Sequence, residues 1–149
     1  MIKLDSTDIK IINFLQENAR MQIKDIAKEV CLSSPAVSTR IDRLEKEGII
    51  KGYHANVDYD KMGFHILAYI NVQIPPENKD TFYKFAGEMP NILECSWVTG
   101  EFSMHIKCAF ETTKELDEFV TRLQKYGSTR TQIVFSSNVG PRNIKFKDN

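Results

Sequence analysis

The chain is predicted to be α+β: an N-terminal winged helix-turn-helix, three helices plus a small wing, followed by a ferredoxin-like βαββαβ domain. Three observations predict it. Between residues 23 and 51, IKDIAKEVCLSSPAVSTRIDRLEKEGIIK reads as two short amphipathic helices meeting at a serine-rich corner. From Phe64 the apolar periodicity switches between 2 and 3.6 in the order strand, helix, strand, strand, helix, strand. Between these halves lies a polar stretch, Asp58-Tyr59-Asp60-Lys61, closed by Met62-Gly63. The expected organisation is therefore a DNA-binding domain over 1–57, a linker over 58–63, a second domain over 64–140 and a tail over 141–149.

In the first half, Asp5-Ser6-Thr7-Asp8 offers capping oxygens to a helix carrying Ile9, Ile11, Ile12 and Leu15. Ile23, Ile26, Ala27 and Val30 fall at i, i+3, i+4 and i+7, one face of a second helix that breaks at Cys31-Leu32-Ser33. Ser33 or Ser34 can cap a third helix, with Pro35 in its first turn, where a missing N–H costs nothing. Its apolar face is Val37, Ile41 and Leu44. After Gly48, Lys51 to Val57 alternates briefly and reads as a small hairpin, the wing.

In the second half, Phe64 to Ile74 is rich in β-formers and stops at Pro75-Pro76. Glu77 to Met89 carries Phe82, Phe85, Ala86 and Met89 at helical spacing. Leu93, Cys95 and Trp97 alternate with polar residues, as do Met104, Ile106, Cys108 and Phe110 beyond Thr99-Gly100-Glu101, giving a hairpin with one apolar face. Thr112 or Thr113 can cap a helix with Leu116, Phe119, Val120 and Leu123, and Tyr126-Gly127 ends it. Thr131, Ile133 and Phe135 are expected on a last strand, followed by a polar tail with Arg142, Lys145 and Lys147. In this strand order both helices cover one sheet face, so the other face or an edge is available to a second copy, and a dimer is expected.

The outward side of the third helix is expected to be a DNA-reading surface made of Ser33, Ser34, Pro35, Ser38, Thr39, Arg40 and Arg43, with Lys51 beyond it. Small hydroxyls at a helix N-terminus suit base edges in the major groove, and arginines suit bases or phosphates. Formal net charge is zero over 149 residues, and residues 1–56 hold nine Lys/Arg against eight Asp/Glu. A barely basic reading head of this kind gains affinity by being presented in two or more copies to one double-stranded DNA. With 42% hydrophobic and 27% charged residues the chain has the composition of a soluble globular protein. No apolar run reaches the length of a spanning helix and Met1-Ile2-Lys3-Leu4-Asp5 lacks a signal-peptide layout, so a cytoplasmic place without membrane partners is expected.

The run LSSPAVSTRIDRLEKEGIIKGYHANVD, Asp5 to Leu15 with Asn18-Ala19-Arg20, and Val98-Thr99-Gly100 together resemble the Lrp/AsnC family of bacterial and archaeal transcription regulators. The resemblance covers nearly the whole chain. It implies a C-terminal RAM domain, dimers and rings of dimers such as an octamer, nucleoid-associated DNA binding, and response to a small amino acid. It further implies an effector site at Thr99, Gly100, Glu101, Phe102 and Ser103, with Thr129 and Thr131 on the last strand facing it across a subunit interface. Where many members carry an acidic residue, this chain has Ser103, and Thr99-Gly100-Glu101-Phe102-Ser103 is similar to the form found in the asparagine-responsive branch.

Two other readings use the same residues. Tetrapyrrole (sirohaem) decarboxylases resemble this family and employ histidine and arginine in the C-terminal half, where this chain has His105 and Arg130. An amino-acid-binding module without a DNA role is the third. No Ser-His-Asp or Cys-His set and no phosphate loop is evident, so no catalytic residue and no cofactor beyond an amino-acid effector is expected. Cys31, Cys95 and Cys108 lack CxxC spacing and are expected as free thiols in apolar sites. His105 alternates away from Cys95 and Cys108, so no metal site is expected either.

Overall fold

The structure, a computed structural model, describes residues 3–147; the outer ends of the expected first domain and tail, residues 1–2 and 148–149, lie outside the described residues. Two compact units are present, one formed by the segments up to Asn56 and from Gly140, the other by Val57–Val139.

In the first unit, α1 (Ser6–Glu17) opens with a reciprocal capping box: Asp8 N donates to Asp5 Oδ1 at 2.8 Å and Asp5 N donates to Asp8 Oδ2 at 3.1 Å. The second and third helices, α2 (Ile23–Glu29) and α3 (Ser34–Lys46), follow. Ser33 is the N-cap of α3, accepting from Ala36 N, with Pro35 in the first turn. Ile11, Ile12, Ile26, Ala27, Val37, Ile41 and Leu44 form the core. Ile23, expected on that apolar face, is 39% exposed. It is the first residue of a seven-residue helix, and a helical side chain leans toward the N-terminus, past the edge of the core.

Both helices of the motif end in the same hydrogen-bonding pattern. After α2, Leu32 N donates to Ala27 O and Cys31 N to Lys28 O; after α3, Ile49 N donates to Leu44 O and Gly48 N to Glu45 O. The pattern needs a left-handed residue, supplied by Gly48 (φ 69) in one case and by Cys31 (φ 54) in the other. Cys31 is thus exposed at the corner, contrary to the expected apolar site, because its backbone role turns it out of the core.

The expected wing hairpin is replaced by an extended segment: residues 51–58 form no strand. A hairpin needs a strand on each side of its turn, and the segment's one glycine, Gly52, comes too early to leave room for the first. Tyr53 ties the segment to α3 through a 2.8 Å bond from its hydroxyl to Glu45 Oε1. The tail is not free of the unit either. Asn13 Nδ2 donates to Phe146 O at 2.9 Å, Phe146 N donates to Asn13 Oδ1 at 3.1 Å, and Asn143 Nδ2 donates to Gln16 O at 3.2 Å.

In the second unit, β1 (Ile66–Gln73), α4 (Lys79–Gly87), β2 (Ile92–Trp97), β3 (Met104–Phe110), α5 (Thr113–Leu123) and β4 (Ser128–Ile133) succeed one another. The sheet order is β2-β3-β1-β4, antiparallel throughout, as the ferredoxin-like reading requires. A 3₁₀ turn, Pro76–Asn78, takes the first residues expected in α4. Thr112 caps α5, accepting from Glu115 N. Ala68, Ile70, Val72, Met104, Ile106 and Cys108 of the sheet pack with Phe82, Phe119 and Leu123 of α4 and α5. A register shift between Ile92 and Glu94 leaves Leu93 as a bulge in β2. The last strand ends at Ile133, short of Phe135, which is 99% exposed; Val134 N→Leu67 O is the final bond to β1. Gly127 permits a close backbone approach, since a Cβ there would collide with the Gln73 carbonyl oxygen.

Candidate nucleic-acid interface and effector loop

The N-terminal turn of α3 sets out the small residues of the expected reading surface. Ser34 and Ser38 are half-buried and Pro35 is exposed; together with Met21, Gln22, Ile23 and Lys24 they line a shallow notch between the starts of α2 and α3. Thr39 is exposed, but its hydroxyl donates to Pro35 O at 3.0 Å. Ser33 spends its oxygen on the cap. Lys51 is exposed on the segment after α3.

Arg40 and Arg43 reach the surface as expected but are not free cations there. Arg40 Nη1 lies 2.7 Å from Asp5 Oδ2 and 2.7 Å from Asp8 Oδ1, and Arg43 Nη2 lies 2.6 Å from Asp8 Oδ2. The cause is Asp8, whose side chain is 1% exposed. A buried carboxylate must be paired, and these guanidinium groups are the partners that α3 brings to it. The side chains of Arg40 and Arg43 are 29% and 42% exposed, so neither is fully withdrawn from solvent. Bonding to Asp5 and then Asp8 raises the Arg40 pKa above its already high ordinary value. The Asp8 backbone N–H, and after it Arg40, hold the Asp5 carboxyl below the usual carboxylate range. Sequence reasoning missed this pairing because partners 32 and 35 residues apart leave no mark in local spacing.

The loop joining β2 to β3 is closed by Val98 N→Ser103 O at 2.9 Å, with Gly100 at φ 120. Thr99, Gly100 and Glu101 are exposed and Phe102 is half-buried. The Ser103 hydroxyl, expected to face an effector, exchanges hydrogen bonds with the end of β1 instead: Ile74 N donates to it at 2.8 Å and it donates to Ile74 O at 2.9 Å. A hydroxyl beside an unpaired backbone N–H and C=O satisfies both, and Ser103 does so at the point where β1 leaves the sheet.

Thr129 pairs with Val72 and Thr131 with Ile70, so both threonines share the sheet face covered by α4 and α5. Arg130 between them lies on the open face, its guanidinium 5.1 Å from the Phe102 ring centroid. The expected effector residues therefore divide between the two faces of the sheet, Thr129 and Thr131 on the helix-covered face and Phe102 beside Arg130 of the open face. Arg130 and His105 flank Asn71 in one cross-strand row of the open face. There His105 Nδ1 is 2.8 Å from Asn71 Oδ1, and its ring stacks on Tyr69 at 5.4 Å. Beside this row Lys107 Nζ contacts Glu94 Oε1 at 3.1 Å. Among the described residues no group of three or more His, Cys, Asp or Glu is placed to hold a metal ion, and no helix is long and apolar enough to cross a membrane. Cys108 is buried on the helix-covered face, where burial pushes its thiol up to about 12.

Residues 4–51 match the family model for winged helix-turn-helix DNA-binding domains, and residues 67–143 match that for the Lrp/AsnC ligand-binding domain. The chain is 33% identical over 135 residues to YezC, an uncharacterized HTH-type transcriptional regulator of Bacillus subtilis (strain 168), covering 91% of this chain and 96% of that one. The solved structure of B. subtilis LrpC superimposes with a TM-score of 0.86 at 27% identity, over 94% of this chain and all of the other. A complex of the Neisseria meningitidis regulator NMB0573 with L-Met gives a TM-score of 0.85 at 28% identity, over 93% and 94% of the two chains.

Proposed function

The chain belongs to the Lrp/AsnC family of transcriptional regulators, and from that premise we propose that it binds specific double-stranded DNA through α3 as a homodimer or ring of dimers under the control of a small amino acid. The observation that carries this reading is the notch at the start of α3. Exposed or half-exposed Ser34, Pro35 and Ser38 stand there at a helix N-terminus, backed by the buried Val37, Ile41 and Leu44. Short hydroxyls and an apolar ring at that position can approach base edges closely, which suits the major groove.

Arg40 and Arg43 have a different part in this proposal. Held by Asp5 and Asp8, they fix the angle between α3 and α1, and the exposed Lys51 on the segment after α3 supplies charge left unpaired among the described residues. In a dimer, two copies of α3 read half-sites separated by about one helical turn, ~34 Å, or a multiple of it.

The effector is placed at the loop Thr99–Phe102, in a site completed by a second copy. Ser103 fixes the base of the loop, and in this proposal Thr129 and Thr131 of β4 face the effector across the subunit interface. The L-Met bound by the Neisseria regulator supports an amino acid as ligand class. Such a ligand shifts DNA affinity only through its different affinity for two arrangements of the assembly, ordinarily by ~1–3 kcal/mol. The relatives are regulators by name, which favours this reading over a decarboxylase at His105 and Arg130.

Selection of bound sequences from a random DNA pool, run with and without a panel of amino acids, tests the proposal. Enrichment of one two-fold-symmetric sequence, altered in extent by one amino acid, is expected. Recovery of no sequence above background would leave a ligand-binding module without a DNA role.

A further inference from the structure

We infer that the cleft between the C-terminal segment and α1 binds a phosphate group, and that on DNA it holds a backbone phosphate next to the bases read by α3. The inference rests on the DNA-binding reading above and adds a contact outside the helix-turn-helix. The cleft has a volume of about 620 Å³ and lies among the second half of α1, residues 54–56 and the segment from Pro141 to Lys145. Its lining includes three permanent cations, Arg20, Arg142 and Lys145, together with His54. Among the described residues no carboxylate is paired with any of the three. Glu17 is the one acid in the lining, so positive charge prevails there. Asn18 and Asn56 add amide donors, and the Asn18 Oδ1 is already taken by Arg20 N at 3.0 Å, which leaves its NH₂ group as the available end.

The segment that brings two of these cations is fastened in place. The two-way bond between the Asn13 side chain and the Phe146 backbone, and the bond from Asn143 to Gln16 O, hold it along α1. A backbone fastened in this way presents the Arg142 guanidinium, which can offer phosphate paired, directional donors, and Lys145 adds a point charge. The charge balance of the unit changes as well. Up to Asn56 it holds nine Lys/Arg against eight Asp/Glu; with residues 140–149 the count becomes twelve against nine. Continuity along the chain links the cleft to the reading surface, because Arg20 lines the cleft and the next four residues, Met21 to Lys24, line the notch with Ser34, Pro35 and Ser38. A phosphate in one and base edges at the other can therefore belong to a single duplex.

The experiment measures affinity for the selected DNA across a range of salt concentrations, using the full chain, the double variant Arg142→Ala/Lys145→Ala, and Asn13→Ala. Both substituted cations are exposed, and thermal unfolding checks that each variant remains folded. The double variant is expected to weaken binding by a similar factor on matched and mismatched DNA, and to flatten the log–log salt dependence by roughly 1 per lost phosphate contact. Asn13→Ala, which removes no charge, is expected to flatten it in the same direction by releasing the segment. Unchanged slope and affinity in the double variant, with wild type still selecting its sequence, overturn the inference and leave the DNA reading intact. Failure of the wild type to bind any DNA overturns both. A third arm titrates inorganic phosphate into the DNA-free wild-type protein and follows the Arg142 and Lys145 signals by NMR. Saturation there, combined with an unchanged DNA salt slope, assigns the cleft to a free anion and overturns its role on DNA.

Discussion

The Asp8 carboxylate on α1 lies 2.6 Å from the Arg43 guanidinium on α3, and this is the shortest of the three ion contacts that join α1 and its cap to α3. Removing Asp8 leaves two guanidinium groups facing a buried hole and one capping-box bond broken. Asp8→Ala is expected to lower unfolding free energy by roughly 2–3 kcal/mol, below the range for wholly buried pairs because both arginines reach solvent. Urea titration measures this. Weakened DNA binding on all sequences alike is expected with it, since the fault lies in the angle of α3 and not in a base contact.

The Asp5 carboxyl gives a pH dependence of known sign. Its folded-state pKa is lowered from 3.8, by the Asp8 backbone bond first and by Arg40 second. A depressed carboxylate pKa adds stability that is fully present above the unfolded value and is lost as pH falls through the folded one. Asp5→Asn keeps a capping oxygen but cannot change its charge. The stability gap between wild type and Asp5→Asn is therefore expected to narrow as pH drops from about 4. Urea midpoints at several pH values from 6 to 3 report it, and a gap independent of pH removes Asp5 from the ion network.

Cys31 occupies a left-handed backbone position that Gly48 fills in the matching place after α3. A side chain there is strained by ~1–2 kcal/mol relative to glycine, partly offset by the extra freedom glycine brings to the unfolded chain. Cys31→Gly is accordingly expected to raise the thermal midpoint, with a gain of about 0.5–1 kcal/mol. An unchanged or lower midpoint would mean that the thiol adds packing the backbone argument omits.

Thiol labelling distinguishes the three cysteines. Cys31 is exposed, Cys95 has its pKa raised by burial, and Cys108 is pushed up to about 12 by burial on the sheet. Cys31 is expected to react with a thiol reagent at once, and Cys108 only as fast as the second unit opens. Rapid labelling of Cys108 under native conditions would contradict its place under α4 and α5.

Ser103→Ala separates a structural hydroxyl from one reserved for an effector. The substitution strips partners from both Ile74 N and Ile74 O, so a loss of roughly 1–3 kcal/mol is expected without any ligand present. Calorimetry on the ligand-free protein measures it. A hydroxyl serving only an effector would leave the ligand-free stability unchanged.

What the sequence made legible was periodic. Val37, Ile41 and Leu44 at helical spacing and the alternation of Met104, Ile106 and Cys108 act within a few residues and stand where their spacing implied, and the caps Asp5, Ser33 and Thr112 are each one of the neighbouring oxygens the sequence offered. The differences arise where distant groups meet. Arg40 and Arg43 read as free cations until a carboxylate more than thirty residues away is brought beneath them, and the Ser103 hydroxyl reads as unengaged until Ile74 arrives beside it. The Lys51–Val57 alternation resembled a hairpin, yet seven residues with their one glycine at the second position leave no room for a strand before the turn. Phe135 continued an alternating run beyond Val134, whose N–H makes the final bond to β1.

The paired bonds between Asn13 and Phe146 bear on how the molecule is handled in the laboratory. A purification handle or fluorescent fusion joined after Lys147 follows the second unit in sequence, yet it would be carried beside α1. Such a fusion loads the first unit, and binding constants measured on it would include that burden.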